Sequence, residues 1–183
     1  MRIFGKIGSR FGWAVAAATL AVGLSVGAGS AQTQTRVDVQ TDWAVFEAGE
    51  GASKVCWIVS LPESKTATRG GKTVEVNRGD IFLMVAVRPQ DGVKNEVSFI
   101  AGYPFKKGSE VEVSVGSSTF KMFTDGENAW LPSASEDANV VSSFRRGAKA
   151  KVKGVSTRGT TTVDTFSLSG FTAAMKSASS RCG

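Results

Sequence analysis

Glu110 and Glu112 stand two residues apart in Glu110-Val111-Glu112-Val113-Ser114-Val115, a run that alternates polar and apolar side chains. On a strand that spacing puts both carboxylates on one face, and facing carboxylates are the equipment of glycoside hydrolysis. The alternation also makes that face the wet one, where acids serve solubility, so no catalytic residue is assigned here. Ser118-Thr119-Phe120-Lys121 has the Ser-x-x-Lys spacing of penicillin-binding enzymes. That chemistry needs a helix; on the strand expected at this point, i and i+3 face opposite ways. Gly71-Lys72-Thr73 looks like the end of a phosphate-binding loop. Thr66 occupies the place of the earlier glycine, and Val74-Glu75-Val76 continues as a strand rather than a helix. Asp164 lies mid-strand among threonines, where capping or pairing with Arg158 is expected. Arg78-Gly79-Asp80 spells the tripeptide that integrins read, which requires an exposed loop tip; Gly-Asp is otherwise ordinary turn chemistry.

The 183 residues include no histidine and two cysteines. This excludes Ser-His-Asp and Cys-His catalysis and histidine metal sites. Structural zinc wants four nitrogen or sulfur ligands, so no metal and no cofactor are expected. The chain is expected to be no enzyme.

Lys149, Lys151 and Lys153 alternate with Ala150, Val152 and Gly154. On a strand the three ammonium groups share a face at spacings of about 6–7 Å. Arg145, Arg146 and Arg158 are close in sequence. Together these six residues are the candidate stripe for an anionic partner such as a charged envelope polymer. A solvated face that discourages strand-edge pairing is the commoner reason for such lysines. Core packing is expected for Trp43, Trp57 and Trp130, with Trp130 the most exposed.

The elements that would position these groups begin after a leader. Arg2, Lys6 and Arg10 precede an apolar stretch from Phe11 to Val26 and the small residues Gly27-Ala28-Gly29-Ser30-Ala31. Residues 1–31 therefore read as a signal peptide cleaved before Gln32, with a second register one residue earlier. The stretch is too short for a committed membrane span. Residues 32–183 are expected to form one domain outside the cytoplasm, in the periplasm or on the outer surface of a Gram-negative bacterium. They carry 19 basic and 16 acidic residues, a net charge of +3. That bias is too small to favour nucleic acid. In an oxidising compartment the two cysteines have one intramolecular pairing, Cys56–Cys182; free or intermolecular thiols are the alternative.

Strands are expected at Val37 to Glu47, Val55 to Leu61, Ile81 to Val87, Glu96 to Ala101, Glu110 to Val115, Thr119 to Thr124, Ala129 to Leu131, Lys149 to Ser156 and Thr161 to Leu168. Ile81 to Val87 is apolar at every position, which predicts a central strand covered on both faces. Ser133 with Glu136 three residues on marks a helix start, and Val140, Val141 and Phe144 share its inner face. Arg145, Arg146 and Gly147 suit its end. Phe171, Ala174, Met175 and Ala178 fall at i, i+3, i+4 and i+7 of a second helix. The fold class is all-β, an antiparallel β-sandwich or flattened barrel with two short capping helices.

Asp42-Trp43, Lys54-Val55-Cys56, Asn95-Glu96-Val97-Ser98, Gly102-Tyr103-Pro104-Phe105 and the run from Asp164 to Ala174 together resemble the invasion associated locus B family of alphaproteobacterial exported proteins. The resemblance covers nearly all of the mature chain and is most specific in the final run. It implies an all-β exported domain with no catalytic residues to carry over, and a role in host-cell entry in pathogenic relatives. Some relatives have a further cysteine after the Asp-Trp pair, where this chain has Phe46 and Glu47. The expected function is a non-enzymatic envelope protein that binds or stabilises a cell-envelope or host-surface component. A carboxylate-based periplasmic enzyme acting on cell wall or polysaccharide is the alternative.

Overall fold

A computed structural model of the chain describes residues 33–183. The expected signal peptide and its cleavage site lie outside the described residues.

Twelve strands form one antiparallel sheet. They are β1 (Thr35–Gln40), β2 (Trp43–Ala48), β3 (Val55–Ser60), β4 (Ser64–Arg69), β5 (Lys72–Thr73), β6 (Phe82–Arg88), β7 (Val93–Ile100), β8 (Glu110–Val115), β9 (Ser118–Asp125), β10 (Asn128–Trp130), β11 (Lys149–Val155) and β12 (Thr161–Ser167). Their order is β1-β2-β3-β6-β7-β10-β9-β8-β11-β12-β4-β5. The sheet folds over on itself, because side chains far apart in that order touch. Phe99 of β7 meets Phe166 of β12 edge to face at 6.1 Å, with four strands between them in the sheet. The Trp43 indole of β2 donates to the Ser167 carbonyl of β12 at 3.0 Å. The result is the expected sandwich, made from one continuous sheet.

Period-2 alternation decides which residues enter the core. On β11, Ala150, Val152 and Gly154 are buried and the three lysines are exposed. On β8, Val111, Val113 and Val115 are buried. Two helices pack into the same core: α1 (Ala134–Arg146) and α2 (Phe171–Cys182). The Ser133 hydroxyl caps α1 by accepting from the Glu136 amide at 3.3 Å, as its sequence predicts. Phe144 of α1 and Trp43 of β2 both meet Phe171 of α2 edge to face, at 5.3 and 5.0 Å. Gly147 ends α1 with an extended backbone rather than a left-handed one. Glycine is required there for space, since a Cβ would run into Val115 and Leu168. Gly170, at φ 88°, starts α2 against the Gln40 carbonyl.

The structure departs from the sequence expectations at four places. Val37 to Glu47 is a hairpin of two strands, turned at Thr41 with φ 54°. Ser64–Arg69 is an unexpected strand, with only Ala67 buried. Val74-Glu75-Val76 is irregular, with the Val74 amide alone bonded back to Ala67. The apolar run Ile81 to Val87 is central in its half of the sheet, between β3 and β7. It is covered on one face only: Leu83, Val85 and Val87 are buried, whereas Phe82, Met84 and Ala86 are half-exposed.

Candidate functional site

The six basic candidates do not form one site. Lys149, Lys151 and Lys153 share the outer face of β11, all exposed. The Lys149 ammonium holds the Glu63 carboxylate. Lys153 pairs in register with Glu112, which in turn lies opposite Lys121. Lys151 lies between Ser114 and Thr165, without a carboxylate at either pairing position. Arg145 and Arg146 are exposed in the last turn of α1, and Arg146 donates to the Ser142 hydroxyl. Arg158 sits in the turn between β11 and β12, beyond the far end of the lysine stripe, and lines a cavity instead. Glu110 is tied to Lys121 at 2.8 Å on the same outer face, so neither it nor Glu112 converges on a pocket. Among the described residues, no three of cysteine, aspartate and glutamate gather closely enough to hold a metal ion.

The cavity, about 470 Å³, opens at one end of the sandwich. Behind it lies a buried ion pair that sequence reading missed. Arg78 Nη1 and Nη2 each donate to one oxygen of Asp164 at 2.7 Å, and Nε and Nη2 also donate to the Ala101 carbonyl at 2.9 and 2.7 Å. The Arg78 side chain is 7% exposed and Asp164 is fully buried. The guanidinium stacks over the Tyr103 ring, 4.8 Å from its centroid. The Tyr103 hydroxyl bonds Thr162 at 2.6 Å, and burial pushes the phenol above its ordinary pKa. Asp164 therefore pairs with Arg78 rather than Arg158. Burial of Arg78 also removes the tripeptide Arg78-Gly79-Asp80 from any receptor. At the mouth, Arg69 donates twice to the Thr160 hydroxyl, at 2.9 and 2.7 Å, and Arg158, Glu75 and Glu127 complete a rim of mixed sign.

The other half of the sheet turns an apolar outer face to solvent. In register across seven strands run Val39, Ala44, Val59, Met84, Ser98, Trp130 and Phe123, apolar at every position but one. At about 4.8 Å per strand the row is roughly 29 Å long. Phe46, Trp57 and Ala86 form a second row beside it, with Phe46 and Trp57 stacked at 5.7 Å. Val39 and Phe123 are 53% and 50% exposed, and the others are half-buried. Trp57 therefore lies on the outside, against expectation, while Trp43 is in the core and Trp130 is partly exposed as its neighbours predict.

Cys56 of β3 and Cys182 of α2 are joined by a disulfide, Cα to Cα 5.8 Å. A bond of this kind persists in an oxidising compartment.

An antiparallel sandwich closed by two helices and one disulfide is the class of β domain that this fold defines. The profile of the Invasion associated locus B (IalB) protein family matches residues 43–179, and the chain belongs to that family. The fold is also that of the crystal structure of invasion associated protein B from Bartonella henselae. The two share 18% sequence identity at a TM-score of 0.53, over 78% of this chain and 95% of the other. No curated protein matches the chain.

Proposed function

We propose that this protein is a non-enzymatic component of the cell envelope that works by binding, holding or stabilising an envelope or host-surface component. The apolar outer face carries the reading. A monomeric sandwich covers or wets its sheet faces, and a contiguous exposed apolar patch marks an interaction surface. The disulfide supports work outside the cytoplasm, in the periplasm or at the outer surface. Of the acids that the sequence singled out, Asp164 is sequestered by Arg78 and Glu110 by Lys121, which disfavours the carboxylate-enzyme alternative at those positions.

Val59→Thr with Met84→Thr tests the reading. Both positions are half-exposed, and threonine keeps the β preference while adding hydroxyls. The variant is expected to melt within about 4 °C of wild type, a change of roughly 1 kcal/mol. Its crosslinking to, and cofractionation with, the envelope should be lost. Unchanged cofractionation by the folded variant refutes the role of this face. Loss of self-association alone, seen by sedimentation, refutes it too. Protease added to intact cells then separates the two locations, because only a surface protein is shaved.

A further inference from the structure

The sheet has a gap. β10 stops after Trp130, where Pro132 and α1 take over, so β7 loses its neighbour below Ser98. The Val97 amide, left without a strand partner, donates to Asp137 of α1 at 2.8 Å. A groove of about 800 Å³ opens there, between the start of β7, the end of β9 and the first turn of α1.

Its walls combine two kinds of group. Phe123 and Trp130 form an exposed aromatic platform, with ring centroids 5.9 Å apart and planes tilted by 33°. Lining the same groove are hydrogen-bonding groups that the fold leaves free. The Asn95 amide and the Lys94 ammonium make no side-chain hydrogen bond among the described residues, and Asp137 uses only Oδ1. Burial raises the pKa of Asp137 above the ordinary carboxylate range. Glu96 and Asp91 on the rim share one counter-charge, Arg88, at 2.8 and 3.0 Å.

We propose that this groove is a carbohydrate-binding site, in which sugar faces stack on Phe123 and Trp130 and ring hydroxyls bond to Asn95, Asp137 and Lys94. This rests on the binding reading above and names its ligand class. Sugars present C–H groups on one face and hydroxyls around the edge, which is the chemistry of the two walls. Ligand sites generally pair apolar or aromatic lining with a few placed polar groups. The other occupants fit less well. Three carboxylates, Asp91, Glu96 and Asp137, outnumber the two cations Lys94 and Arg88 here, which disfavours a phosphate-bearing lipid or polymer. The free strand edge spans only Val93 to Asn95, too short for an added peptide strand to gain much.

The test is a nuclear magnetic resonance titration of the mature chain, residues 32–183, in two arms. One uses glycan fragments released from peptidoglycan by muramidase; the other uses soluble animal cell-surface N-glycans. Shifts are expected at the Trp130 indole, the Asn95 side-chain amide and the Val97 amide, in the arm that supplies the natural source. Phe123→Ala and Asn95→Ala each should weaken binding at least tenfold with an unchanged melting point, since Phe123 is half-exposed and Asn95 unbonded. No shift in either arm, or binding that survives both substitutions, overturns the assignment. If envelope cofractionation persists while both arms fail, the glycan assignment falls and the binding reading stands. If glycan binding holds while Val59→Thr/Met84→Thr leaves cofractionation intact, the apolar face falls and the groove stands.

Discussion

Replacing Asp164 by asparagine should damage this protein more than any other single polar substitution. The Arg78 side chain sits at 7% exposure with two of its four hydrogen bonds directed to Asp164. An asparagine in that place would offer one acceptor oxygen and an amide that cannot accept, leaving a buried cation without its counter-charge. Breaking a buried pair from one side costs about 3–5 kcal/mol. Against a domain stability of about 5–15 kcal/mol, that is roughly a fifth of the total at the least. At about 2–4 °C per kcal/mol for a domain of this size, the melting point should fall by roughly 6–20 °C. Urea unfolding with the disulfide intact measures the loss. With the single variants Arg78→Met and Asp164→Leu, the double variant Arg78→Met/Asp164→Leu forms a cycle and should cost less than the worse of those two, because it buries no unpaired charge. A loss below about 1 kcal/mol for Asp164→Asn, or strict additivity of Arg78→Met and Asp164→Leu in their double variant, would refute the account of this pair as a coupled buried unit.

Four further outcomes are expected. Cys56→Ser/Cys182→Ser should lower stability by up to about 5 kcal/mol, the chain-entropy value for a separation of 126 residues, read by urea titration. Gly170→Ala should destabilise strongly or prevent folding, since its φ is 88° and its Cβ would enter the Gln40 carbonyl; calorimetry decides. Asp137, whose folded pKa is raised by burial, binds its proton more tightly folded than unfolded, so stability should fall as pH rises from about 4 through the raised value. Asp137→Asn should flatten that part of the pH–stability profile, and an unchanged profile would contradict the burial argument. Lys149→Ala should change stability by under about 1 kcal/mol, because its partner Glu63 is also well exposed; a larger loss would mean the pair is more than a surface contact.

What sequence revealed and what it hid follow the range of the interactions. The alternation of Lys149 to Gly154 and of Glu110 to Val115 names their buried faces, because strand periodicity is local. The Ser133–Glu136 cap and the Phe171, Ala174, Met175 spacing are equally local and appear as read. The hairpin at Thr41-Asp42 was hidden because its left-handed residue is a threonine, without a glycine or proline to mark it. Ser64–Arg69 was hidden because an almost wholly polar strand has no hydrophobic period; it exists through its pairing with β12. The Arg78–Asp164 pair joins residues 86 apart, and no spacing rule reaches that far. The apolarity of Phe82, Met84 and Ala86 was visible, but one sequence cannot distinguish a face covered by its own chain from a face offered to another molecule. Arg158 illustrates the same limit: nearness in sequence to the lysines became separation along a strand seven residues long.

The disulfide sets an order of events. A chain that emerges from a membrane pore N-terminus first exposes Cys56 early. Its partner, 126 residues later, follows only after every strand has passed. In a reducing cytosol the ring cannot close at all. For any chain threaded in that direction, covalent closure comes last: the open chain stays loose enough to thread, and the bond locks it only once α2 has docked.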